Sequence, residues 1–317
     1  MNHLIVAGLL HEDPQINNQI LQQYPVLKRF LKKSKKHPAS NTTEATLCPF
    51  FNILEPNPAT ASLCYFAEFN QQSPLYWYHF DPVHLKADRD SLILFDGLHL
   101  AIQATEAEAL LDLCQQHFAE EQWVLVQKTT DRYYLGLTAP PRLTTYSLNQ
   151  VTGKSINYFL PQGKDKKKWR SLLNEIQMLL FNAPFNQQRM EQNKPTINGI
   201  WISGGGFLPD VKTNLTQAWQ LNPCLLLKGL CQRADIPLSH QTELPINPQN
   251  TLFYYNGLEQ ALLDGDQQAW FSEVAKFMLW FKDFQKKARE FRLYPVDGFY
   301  YQIKPSFWWG WVKTFSK

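Results

Sequence analysis

Residues 174–209 read NEIQMLLFNAPFNQQRMEQNKPTINGIWISGGGFLP. Polar side chains (Asn174, Glu175, Gln177, Asn186, Arg189, Asn198) alternate with apolar ones, and an expected strand then runs into Gly204-Gly205-Gly206. Amide and guanidinium groups among apolar neighbours cost desolvation energy unless they find partners. A cluster of them ahead of a glycine turn predicts a shaped polar site suited to an anion. The regions on either side read as alternating strands and helices, which points to an α/β fold.

The chain has 317 residues, enough for one large domain or two ordinary ones, each with a substantial core. Hydrophobic content of 44% and charge of 19% describe an ordinary globular protein. A net charge of +3 is too small to argue for nucleic acid or membrane. No apolar run reaches the roughly 18 residues a bilayer span needs. The opening MNHLIVAGLLHEDP lacks a basic start and a small-residue cleavage site, so it is expected to be a buried strand of a cytoplasmic protein. Five scattered cysteines with no C-x-x-C pair argue against a disulfide framework and against zinc.

Outward from the opening stretch, residues 3–10 are expected as a strand and 21–36 as a basic amphipathic helix. Residues 37–44 and 55–58 are breakers, and 60–69 a short buried helix. Residues 76–80 and 91–95 read as strands, followed by a helix to about Phe118 with Thr105 as N-cap and Glu108 at N3. Residues 123–126 and 132–137 resemble paired strands, and 164–181 a helix with a basic start. Further on come a strand at 252–255, a short helix at 258–263, a long helix at 267–291 and the ending FWWGWVKTFSK.

Several chemistries are poorly served. There is no G-x-S-x-G elbow, no Lys-Ser or Lys-Thr after the glycines to make a phosphate loop, and no dinucleotide fingerprint. The triple glycine alone fits a structural turn better than an anion cradle. The eight histidines show no H-x-x-x-H spacing; His79 and His84 flank Asp81, but a hydrogen-bonded core role is favoured over a shared site. The basic segment 28–36 reads as a solvated helix face, with anionic lipid or nucleic-acid phosphate as the alternative partner. Trp308, Trp309 and Trp311 read as docking on the protein body, with a protein partner or membrane surface as alternatives.

Asp81-Pro82-Val83, Ala87-Asp88-Arg89-Asp90 and the strand 91–95 resemble the start of the substrate domain of archaeal-type cofactor-independent phosphoglycerate mutases. Asp131-Arg132, Asn174-Glu175, Pro184-x-Asn186-x-x-Arg189, Asn198-x-x-Trp201, Gly204-x-Gly206-x-x-Pro209 and Leu227-Lys228-Gly229-Leu230 follow in the same order. Over nearly its whole length the chain is similar to a bacterial offshoot of that family, the RpfE-type regulatory proteins. The resemblance implies a degenerate alkaline-phosphatase-like domain (1–74 plus 210–317) into which an α/β substrate-type domain (75–209) is inserted. It further implies a pocket for a small phosphorylated or carboxylated metabolite, contacted by Asp81, His84, Arg132, Asn174, Glu175, Asn186, Arg189, Asn198, Gly204, Gly205 and Gly206.

Departures from the family pattern weigh against catalysis. The family's first strand ends in a metal-binding aspartate, where this chain has Ala7. Ser40 and Ser62 lack the context of the family's serine nucleophile, no histidine follows His240, and Ser203 replaces an arginine. A non-catalytic ligand-binding or regulatory protein with no metal and no cofactor is therefore expected. An active mutase with rearranged ligands, and an interaction protein working through its basic helix and tryptophan tail, are the alternatives.

Overall fold

A computed structural model describes residues 1–302 except 12, 241–243, 246–247 and 289. The chain divides into two compact units: Met1–Leu54 with the chain from Val211 onward, and Glu55–Asp210. Both units are mixed α/β. Residues 55–74, expected with the first unit, belong to the second. The tryptophans at 308, 309 and 311 lie outside the described residues.

In the first unit the sheet order is β11 (Leu238–Ser239), β10 (Gln217–Gln220), β12 (Thr251–Tyr255), β1 (Asn2–Val6), β13 (Phe291–Tyr294), β14 (Phe299–Gln302) and β2 (Lys35–Pro38). The first five strands are parallel; β14 is reversed, pairing antiparallel with both β13 and β2. β12 is buried at every position, as a central strand covered on both faces should be. One face packs on α12 (Gln267–Lys287) through Trp270, Val274, Phe277, Phe281 and Phe284, spaced at helical period against Leu4, Val6, Phe253 and Leu293. α10 (Leu225–Ala234), α11 (Gly257–Leu263) and the short α3 (Thr43–Leu47) complete this unit's helices with the pair described next.

The expected basic helix 21–36 is three elements. Pro25 lacks the amide a continuous helix needs, so α1 (Pro14–Gln23) ends and α2 (Pro25–Lys33) begins there. Lys35 and Lys36 then lie in β2, paired with β14, where the Lys36 ammonium sits 3.6 Å from the centre of the Phe299 ring. Leu27 and Phe30, the apolar face of α2, are buried in the core, so this face has no surface left to lay on a membrane. No described helix is long and apolar enough to cross a bilayer.

The second unit is organised around β3 (Tyr76–Asp88), a strand of thirteen residues that changes partners along one edge. β6 (Tyr133–Leu137) pairs with residues 76–79 and β4 (Ser91–Phe95) with residues 84–88, while β9 (Gly199–Gly206) runs along the opposite edge. β5 (Val124–Gln127) flanks β6, and β7 (Leu143–Thr144) pairs with β8 (Gln162–Gly163) apart from this sheet. Tyr78 and Phe80 face a core built with α6 (Ala104–His117), α8 (Lys166–Phe181) and α9 (Pro184–Glu191). Alternation sends Trp77, His79 and Asp81 to the other face, where α4 (Thr60–Phe69) contributes Tyr65 stacked on Trp77. The remaining short helices are α5 (Gly97–Leu100) and α7 (Leu148–Val151).

Two local expectations change here. α6 is capped by Gln103, with Glu106 at N3 accepting from the Gln103 amide, so the capping box lies two residues ahead of Thr105 and Glu108. Gly204–Gly206 do not form a turn; they are the end of β9. A Cβ on Gly204 would fall 2.0 Å from Thr60 Oγ1, and one on Gly205 2.2 Å from Tyr78 Cε1. Close packing from both faces of the strand, rather than an anion, requires glycine there.

Candidate functional site

Residues 80–83 of β3 lie between its two partners, and this gap shapes the site. Pro82 presents its carbonyl to the gap, 3.5 Å from the Cβ position of Gly97, and its ring nitrogen has no proton to leave unpaired. The end of β4 and the start of β6 converge there, with the Gly97 Cβ position 3.2 Å from Asp131 Cβ. Asp81, Asp96 and Asp131 are thus neighbours, with Arg132 beside them. Burial, reinforced by Asp131 and Asp96, pushes the Asp81 carboxyl up to about 8 against the opposing pull of Arg132. Burial and Arg132 push the neighbouring His79 down to about 4.

Arg132 is already occupied. Its guanidinium lies 2.9 Å from Glu68, whose other oxygen accepts the Tyr134 hydroxyl at 2.6 Å. The surroundings are rich in carboxylates and suit proton holding better than anion capture. Among the described residues, no group of three or more His, Cys, Asp or Glu is arranged to hold a metal. At the end of β1, the described strand is followed by buried Ala7 and then Gly8, neither of which offers a side-chain donor. The end of β1 therefore lacks the metal-binding aspartate that the family pattern has at this position.

Across the sheet from Asp81, β3 builds a different site. Strand parity places His84 and Lys86 on the face opposite His79 and Asp81, so the two histidines do not meet at one site. His84 and Lys86 line a cavity of about 430 Å³ with Phe95, His99, Leu100, Asn193, Lys194 and Pro195. His84 Nδ1 lies 2.8 Å from the Thr196 carbonyl; because a carbonyl only accepts, the ring proton is on Nδ1. His99 is oriented the same way, with Nδ1 2.7 Å from Asp96 Oδ1. Two exposed ammonium groups and two imidazoles make the lining basic.

The predicted contacts of the opening stretch hold up this cavity from behind. Arg189 is 1% exposed. Its Nε donates to the Pro195 carbonyl, Nη2 to the Leu100 carbonyl and Nη1 to Glu106 at 2.8 Å, joining two cavity walls to the start of α6. Asn186 donates to the Leu180 and Ile197 carbonyls and accepts from the Ile197 amide, all at 2.8 Å. Asn198 accepts from the Leu85 amide and donates to its carbonyl, extending the β9 ladder with a side chain. To contact a ligand, these three would first have to give up such bonds. Asn174 and Glu175 are elsewhere, exposed on α8, with Glu175 2.7 Å from His117.

Of the predicted residues, Asp81 and Arg132 come together on one face, while His84 alone lines the cavity. Lys86, His99 and Lys194 were not anticipated. Lys86 had a usable signal, since it is two residues after His84 on a strand.

This geometry defines a two-unit α/β protein with a basic cavity in its second unit and no metal-holding cluster among the described residues. Part of the chain is related in sequence to 2,3-bisphosphoglycerate-independent phosphoglycerate mutases. It is 27% identical over 110 residues to such an enzyme of Methanosarcina mazei, covering 34% of this chain and 28% of that one. It is 25% identical over 134 residues to a probable enzyme of the same name from Geobacter sulfurreducens, covering 40% and 32%. The matches thus span about a third or less of those relatives' length. No family model matches the chain. Among solved structures, a cofactor-independent phosphoglycerate mutase of Thermoplasma acidophilum aligns over 96% of this chain and 90% of its own at 13% identity, with a TM-score of 0.40. A protein of Pyrococcus horikoshii aligns over 92% and 80% at 14% identity, with a TM-score of 0.44.

Proposed function

We propose that this chain is a mutase-like ligand-binding protein that holds a small anionic metabolite in the cavity of its second unit and does not run the mutase reaction. The observation that carries this reading is the concentration of His84, Lys86, His99 and Lys194 around one cavity, braced from behind by Arg189. Ammonium groups at a concave site attract carboxylate and phosphate. The lack of a fitting donor set at Ala7 supports the non-catalytic half, and the resemblance to RpfE-type proteins supports a regulatory role. Isothermal titration of the full chain with inorganic phosphate and with 2- and 3-phosphoglycerate tests the binding half. Saturable binding that Lys194→Glu weakens at least tenfold is expected; no binding, or a variant that binds like wild type, overturns it. The relatedness to the mutases favours a second reading, an active enzyme. A coupled assay with added Mn²⁺ decides between the two, since sustained turnover would overturn the non-catalytic half.

A further inference from the structure

We infer that the anion held in this cavity carries a flat apolar ring, as aryl and nucleoside phosphates do; this rests on the reading above that the cavity takes anions. Size is the first reason. About 430 Å³ is far more than a three-carbon acid fills, and falls within the range of roughly 300–1,000 Å³ of sites for larger ligands. The second is how the wall chemistry divides. Phe95, Leu100 and Pro195 are apolar, while Lys86, Lys194 and Asn193 are the polar residues of the lining beside the two histidines. Phe95 is half-buried, with its ring edge-on to His99 at 6.2 Å and tilted against His84 at 6.4 Å, so part of the aromatic surface remains to be covered. The third is how His84 is held: its Nδ1 donates to the Thr196 carbonyl, which fixes the ring in place beside Phe95.

The test is titration of the full chain with inorganic phosphate, 3-phosphoglycerate, phenyl phosphate and adenosine monophosphate, repeated with Phe95→Leu. The two ring-bearing phosphates are expected to bind wild type about tenfold or more tighter than the other two, the scale of one stacked ring. Phe95→Leu should remove most of that preference, read as the ratio of ring-bearing phosphate affinity to inorganic phosphate affinity in the same variant. Equal or tighter binding of 3-phosphoglycerate, or a preference that survives Phe95→Leu, overturns the inference while the cavity remains an anion site. If none of the four binds, the inference and the reading beneath it fall together. The wild-type preference stands as evidence even if the leucine variant does not fold.

Discussion

Replacing Arg189 with alanine tests whether the most conspicuous residue of the opening stretch contacts a ligand or braces the fold. Its guanidinium is buried, and three of its nitrogens donate to Pro195, Leu100 and Glu106. Truncation strands two carbonyls and a carboxylate that is only 13% exposed. Removing one partner of a buried charged pair typically costs about 3–5 kcal/mol. Because the chain has two units, a single denaturation midpoint would blur the effect. Hydrogen exchange read by peptide mass is the better assay. Segments around 97–110 and 186–200 should lose protection by about 3–5 kcal/mol, and the first unit should keep its own. A double variant with Glu106→Gln should cost less than the sum of the single changes, since the two groups share one interaction. Unchanged exchange in those segments, together with lost anion binding, would refute the bracing role and restore Arg189 as a ligand contact.

Two further outcomes follow from the same unit. Asp81 moves from 3.8 to about 8 on folding, so the native state keeps a proton that the unfolded chain releases. Wild type should therefore lose stability as pH rises from about 4 to 8, while Asp81→Asn should not. Half-burial lets solvent relieve part of the full linkage, leaving an advantage for the variant of roughly 2–4 kcal/mol at pH 8 that vanishes near pH 4. Urea titrations across that range check this, and a gap independent of pH would contradict it. Gly205→Ala forces a methyl group against buried Tyr78 and should cost about 1–3 kcal/mol or more; a wild-type urea midpoint would show that the strand opens there at little cost.

The α/β class and most elements were legible because their signals are local. Trp270 to Phe284 carry helical spacing that no tertiary contact needs to supply. Pro25 would have divided the basic helix had its missing amide been weighed against the surrounding periodicity. The roles of Arg189 and Asn198 were not legible, because their partners include Leu85, Leu100 and Glu106, far away in sequence. A buried brace and a ligand contact look alike until the partners are placed. Gly204–Gly206 misled for a similar reason, since the crowding that requires glycine comes from Thr60, Tyr78 and Ala59.

The interruption at Phe80–Val83 also bears on which length changes this unit tolerates. β3 carries two ladders on one edge that share a strand but not a register constraint. Residues added or lost between the end of α6 and Val124 lie outside both pairings. A single residue lost within the interruption would rotate His84 and Lys86 to the face of Asp81 while His79 stayed in place. The cavity would empty of its basic lining, and the ladder with β9, which runs through residues 80–83, would slip by one residue. Homologues that keep the spacing from His79 to His84 and vary the connection after α6 are the pattern this strand imposes.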